Sequence, residues 1–112
     1  MKIKTLITVT LLCLSLSAAA DDRVTAQAYE IALDRFQAPA TENGGASFKE
    51  CGDCVRKIVR VTSGTRYSVN GTAVSLERFR EAIAQVSDRD MTPVIVLHHL
   101  ESDTIVSLSV SI

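Results

Sequence analysis

The sequence has no tryptophan, only two tyrosines and three phenylalanines, two histidines, and no excess of positive charge. Each shortage excludes something. Tyr29, Phe36, Phe48, Tyr67 and Phe79 are needed for a core, which leaves no aromatic platform on which bases could stack. A formal charge of −1 over the whole chain gives no basic surface for nucleic acid or an anionic membrane. No internal repeat, proline-rich linker or long charge run divides the chain. No G-x-S-x-G elbow occurs, and the paired Gly44 and Gly45 do not form a phosphate loop. No catalytic set and no cofactor motif is legible.

What the chain does have begins at its N-terminus. "MKIKTLITVTLLCLSLSAAADD" places Lys2 and Lys4 before an apolar stretch from Leu6 to Leu16, with small residues at Ala18 and Ala20. This is the pattern of a secretory signal, with cleavage expected after Ala20 and the short, two-lysine form of a bacterial leader. The stretch is shorter than the roughly 20 apolar residues of a membrane span, so no stable anchor is expected after cleavage. Cys13 lies inside it, without the small residue that usually precedes a lipid-modified cysteine, and should leave with the signal. Residues 21–112 would then remain, with ten basic and thirteen acidic side chains and a formal charge of −3. One domain of this size buries about 60–65% of its unfolded surface, so its stability margin is thin. The expected location is periplasmic or secreted.

Two cysteines survive processing, Cys51 and Cys54 in "FKECGDCVRKIVRV". Three readings compete. A redox dithiol needs a thiolate of lowered pKa, usually at a helix N-terminus, whereas this motif leads into a strand-like run and carries Glu50 and Asp53 beside it. A metal site would add His98 or His99 to the two thiols. Adjacent strand residues point to opposite faces, however, so "HH" offers a given site one imidazole. A disulfide across a turn fits best: Gly52 and Asp53 suit a turn, strands are expected on both sides, and export leads to an oxidising compartment. The pair Cys51–Cys54 is therefore expected to be a staple, with thiol or metal handling as the alternative.

Residues 21–45 are ambiguous. "DDRVTAQAYEIALDRFQA" has helix-favouring composition, while Tyr29, Ile31 and Leu33 alternate as in a strand, and "PATENGG" is a loop. From 46 onward the signals are clearer. "ASFKEC" and "VRKIVRVT" read as strands, the second with Val55, Val59 and Val61 on one face and Lys57 interrupting it near a sheet edge. "RYSV" and "TAVS" flank Asn70-Gly71, which suits a type I′ hairpin and sets Tyr67 opposite Val74. That turn explains Asn70-Gly71-Thr72 better than a glycosylation site does. "SLERFREAIAQV" predicts a helix over about 76–86, capped by Ser75, with Leu76, Phe79, Ala82, Ile83 and Val86 on one stripe. "VIVLHHL" and "TIVSLSVSI" are strands. In the latter Val106, Leu108, Val110 and Ile112 alternate with Ser107, Ser109 and Ser111, predicting a buried face and a serine face. Glu101 and Asp103 at the intervening turn are more readily turn formers than catalytic acids. The order predicts an α+β two-layer sandwich over 46–112, with one main helix on a mostly antiparallel sheet of four or five strands.

"SFKECGDC", "TRYSVNGTAVSLERFREAI" and "VLHHLESDTIVSLSV" together resemble a group of small exported bacterial proteins of unknown function, over about residues 45–112. That resemblance implies export and one compact domain, with no activity to carry over. The stretch "YSVNGTAVSLERFREAI" followed by "TPVIVLHH" is also similar to the periplasmic domain of the ExbD/TolR transport proteins. The chain departs from them by lacking an acidic residue in a too-short N-terminal apolar stretch, which argues against a motor role. The expectation is a non-enzymatic domain that binds a protein or envelope component through a sheet edge or the Ser107/Ser109/Ser111 face.

Overall fold

A computed structural model describes residues 25–112. The expected signal peptide, its cleavage point and Cys13 lie outside these residues. The segment left open between helix and strand forms strand β1, Ala26–Ala32, a three-residue 3-10 turn, Leu33–Arg35, and strand β2, Phe36–Gln37. Alternation prevailed over helix-favouring composition because every second residue is buried: Tyr29, Ile31 and Leu33 all enter the core. Six further strands follow: β3 Gly45–Phe48, β4 Lys57–Arg60, β5 Arg66–Val69, β6 Thr72–Val74, β7 Pro93–His99 and β8 Thr104–Val110. One helix, α1, runs from Leu76 to Ala84.

A sandwich with four or five strands is not what forms. All eight strands join one sheet with the order β1-β7-β8-β4-β3-β2, to which β5 adds along β8 and β6 along β5. Strands hold 43% of the described residues and helix, with the 3-10 turn included, 14%, so the sheet dominates. Two of the eight, β1 and β2, lie in the segment the sequence leaves undecided, where helix-favouring composition offsets the alternation of Tyr29, Ile31 and Leu33 and β2 has only two residues, which is why the sequence undercounts the strands. The expected antiparallel pairing is interrupted as well. β4 and β5 lie end to end along one edge of β8 and both run parallel to it, at Arg60↔Thr104 and at Arg66–Val69↔Ser107–Val110. Between them, where no ladder forms, the buried Thr65 hydroxyl donates to the Ile105 carbonyl at 2.6 Å and accepts from the Thr62 N–H at 3.0 Å. It supplies the hydrogen bond that the missing strand residue would have made.

β1 and β2 stand at opposite ends of the strand order, yet only Leu33–Arg35 separates them in the chain. The sheet must therefore coil until its ends approach. Tyr29 of β1 meets Phe48 of β3 across the enclosed core, with ring centroids 5.2 Å apart. Helix α1 lies on the inner side, where Leu76, Phe79 and Ile83 are buried and Phe79 meets the Tyr67 ring at 5.6 Å. Burying a side chain such as Phe79, which has no exposure, contributes roughly 1.5–3 kcal/mol. The Ser75 hydroxyl caps α1 by accepting from the Arg78 N–H, and Arg89 closes the other end by donating to the Ile83 carbonyl at 2.6 Å. The β5–β6 hairpin has Tyr67 opposite Val74, and Asn70 and Gly71 both take positive φ, 54° and 83°.

Two expected burial patterns are corrected. Val55 is 84% exposed because β4 begins only at Lys57, so Val55 belongs to the loop before it. In β8 the buried residues are Ile105, Leu108 and Val110, while Val106 and Ile112 are exposed. The β7–β8 register passes from Leu97↔Ser107 to His98↔Ile105, leaving Val106 without an opposite residue. A bulge of one residue reverses the phase of alternation on one side of it. Simple alternation therefore holds from Ser107 to Val110 and fails before it, and Ile112 lies beyond the end of β8.

Candidate functional site

Cys51 and Cys54 are joined by a disulfide at the tip of the β3–β4 hairpin. The turn is also closed by the Cys54 N–H donating to the Cys51 carbonyl at 3.2 Å. With the sulfurs bonded to each other, neither is a thiolate or a metal ligand here. Gly52 and Asp53 are exposed, and the loop leads on one side to Glu50 and on the other to Lys57.

Lys57 connects this loop to the opposite end of the sheet. Its Nζ pairs with Glu50 at 2.8 Å, donates to the Tyr29 hydroxyl at 3.4 Å and stands 5.0 Å from the centre of the Tyr29 ring. The hydrogen bond to Glu50, then that to Tyr29, holds the Lys57 ammonium above its ordinary pKa of 10.5. The side chain thus projects to the core side, as the alternation with Val59 requires, and covers an aromatic edge rather than an apolar neighbour. Nothing local in the sequence marks this group, because Tyr29 and Lys57 are 28 residues apart.

The histidines occupy opposite faces, as adjacent strand residues must. His98 lies on the core side beside Tyr29, with ring centroids 6.3 Å apart. Its Nε2 meets the Asp103 carboxylate at 2.8 Å, while its Nδ1 is buried without a partner among the described residues. His99 is on the outer side, its Nδ1 2.9 Å from the Ser102 hydroxyl, which in turn lies 2.7 Å from that of Thr104. A serine hydroxyl against an imidazole nitrogen has the form of a nucleophile and its base. Here Nδ1 also accepts the Ser102 backbone N–H at 3.3 Å, and among the described residues no carboxylate is hydrogen-bonded to the ring, so the contact closes the β7–β8 turn. The strained position in that turn is Asp103, at φ 57°. No three metal-ligating side chains converge among the described residues.

The serine face lies on the outside of the coil. The registers align Glu30, Ile95, Ser109 and Ser68 in one row across β1, β7, β8 and β5, and Ala28, Leu97, Ser107 and Arg66 in the next. Ile95 is 39% exposed, Leu97 and the serines are half-buried, and the rows end in Glu30 on one side and Arg66 on the other. A shallow hollow of about 500 Å³ opens here, lined by Glu30, Ser68, Ile95, Ser109 and Ser111. Short hydroxyl side chains around two aliphatic ones leave a low-relief surface able to donate and accept hydrogen bonds in many directions. The expected Ser107/Ser109/Ser111 set is thus brought together with Ile95 and Leu97, which the sequence had suggested only as members of a strand.

These features define a disulfide-stapled domain built on a single coiled sheet with one covered and one open face. No family model matches the chain, and no curated protein or solved structure matches it.

Proposed function

We propose that the mature chain is an exported, non-enzymatic binding domain that engages a protein of the periplasm or extracellular space through the outer face of its sheet. The observation that carries this reading is the one-sided covering of the sheet. Helix α1 and the enclosed core occupy the inner face, while among the described residues no element packs over Ile95, Leu97 and the serine rows, which stay exposed or half-buried across four strands. Residues of this mixture suit a recognition surface in which aliphatic groups are ringed by hydrogen-bonding ones. The leader-like N-terminus and the Cys51–Cys54 disulfide support export. Among the described residues no helix is long and apolar enough to cross a membrane. The negative balance of the mature chain favours a protein over nucleic acid. The resemblance to small exported bacterial proteins points the same way.

Thiol or metal handling by Cys51 and Cys54 with His98 or His99 has less support. The sulfurs are bonded to each other, and the imidazoles engage Asp103 and Ser102. Alkylation and mass spectrometry of protein taken directly from the exporting cell would reveal a reduced fraction if that reading held.

Affinity purification of the tagged chain from envelope extracts, in parallel with Ile95→Glu, tests the binding face. Recovery of a protein by the parent chain and its loss with Ile95→Glu is the expected result. Equal recovery by both, or repeated recovery of nothing, would count against it.

A further inference from the structure

The free edges of the sheet are unequal. β2 has two residues and β6 three, too short to template another strand. β1 has seven, pairs with β7 along its whole length without a register shift, and has no ladder partner on its other side among the described residues. The direction of its backbone groups follows from two hydrogen bonds. The Thr25 carbonyl accepts from the Leu100 N–H, and the Leu33 N–H donates to the Thr92 carbonyl, both toward the β7 side. Backbone groups of a strand alternate sides with each residue. Odd-numbered residues therefore face β7, and Ala26, Ala28, Glu30 and Ala32 direct their N–H and C=O groups away from the sheet. Proline, lysine and bulges, the usual protections of an edge, are all missing from this strand. Three of the four outward residues are alanine, so little bulk stands over the edge.

We propose that this edge pairs antiparallel with β1 of a second copy, about a two-fold axis passing beside Tyr29. Outward residues must oppose outward residues, which leaves few registers. Opposing Glu30 to Glu30 places like charges face to face, which is unfavourable. Opposing Ala28 to Ala28 leaves Ala32 beyond the end of the partner strand. Opposing Ala28 to Glu30 of the second copy, and Ala26 to its Ala32, uses the whole strand. It moves the two glutamates to the diagonal, about 7–8 Å apart. In that register four residue pairs each exchange two backbone hydrogen bonds, and all the outward groups are satisfied. Closed two-fold pairing is also the commonest way a chain meets itself. The two outer faces would then lie side by side on one continuous sheet, giving a bivalent surface. This pairing uses a different part of the molecule from the proposed binding face and does not depend on it.

The full chain, expressed with its own N-terminal segment and purified after export, is examined by light scattering and sedimentation over a wide range of concentration. Ala28→Pro removes one outward N–H and leaves the β7 ladder untouched. A dimer in the parent chain, weakened at least ten-fold by Ala28→Pro with an unchanged circular dichroism spectrum, is expected. The register is read by mixing Ala28→Cys chains with Glu30→Cys chains, which should cross-link to each other under oxidising conditions, whereas neither variant should cross-link to itself. A parent chain that is monomeric throughout, or a dimer indifferent to Ala28→Pro, overturns the proposal. If the monomer still captured a partner in an Ile95-dependent manner, the pairing would fail while the binding face stood. A monomer that instead binds an extended peptide along β1 would assign this edge to another protein and overturn it likewise.

Discussion

Replacing Cys51 and Cys54 together by alanine tests how much the staple contributes. The disulfide closes a loop of four residues, for which the loss of unfolded-chain entropy is about 6 cal/mol/K, or about 2 kcal/mol at 25 °C. Two structural facts keep the native hairpin in place, so little is lost beyond this. The Cys54 N–H to Cys51 carbonyl bond remains without the sulfurs, and the Phe48↔Lys57 pair continues to hold the hairpin just inside the loop. The expected loss is therefore about 1–2 kcal/mol. An unfolding entropy of about 2.1 cal/mol/K per residue turns this into a melting temperature lower by about 5–10 °C. Because the effect acts mainly on the unfolded chain, the circular dichroism of the native state should not change. Differential scanning calorimetry of the oxidised parent, the reduced parent and the double variant is the assay. The latter two should agree with each other and fall below the first. A variant that melts with the oxidised parent would refute the reasoning, since it would mean the hairpin tip is equally restrained in the unfolded chain.

Three further outcomes follow from particular contacts. Thr65→Val leaves the Ile105 carbonyl and the Thr62 N–H without their partner in a buried position, and should cost about 1–3 kcal/mol in urea unfolding. Ile105→Ala should cost about 2–5 kcal/mol and Val106→Ala less than about 0.5 kcal/mol; the reverse order would place the β8 bulge elsewhere. Burial pushes the Tyr67 phenol above its ordinary pKa of 10.0, with a smaller push from Glu42, and its hydroxyl has no partner among the described residues. The Lys57 ammonium is also raised above 10.5, so in both cases the folded chain holds a proton that the unfolded chain gives up first. The contribution of these two groups to stability should be level below about pH 10 and fall as pH rises further. Tyr67→Phe should keep or raise the stability at neutral pH and make the alkaline fall shallower, as followed by thermal melts across that range.

Local chemistry made several elements legible. Asn70-Gly71 specifies a turn with two positive φ angles, and it alone sets Tyr67 opposite Val74. Ser75 and the Leu76, Phe79, Ile83 stripe define a helix because the cap and the apolar spacing are both properties of neighbouring residues. Gly52-Asp53 between two cysteines marks a closed turn for the same reason. The bulge at Val106 was hidden, since a continuous alternation of apolar and serine residues does not reveal where the facing strand skips a residue.

The sequence by itself determined the hairpin, the helix, the disulfide turn and the existence of a serine face, all of which depend on groups within a few residues of one another. Tertiary structure decided that β1 belongs to the sheet, that β4 and β5 run parallel to β8, and that the sheet coils until Tyr29, Phe48 and Lys57 meet. Such contacts depend on how the whole apolar surface is enclosed. That choice is made between strands far apart in the chain, where local residue preferences carry no information.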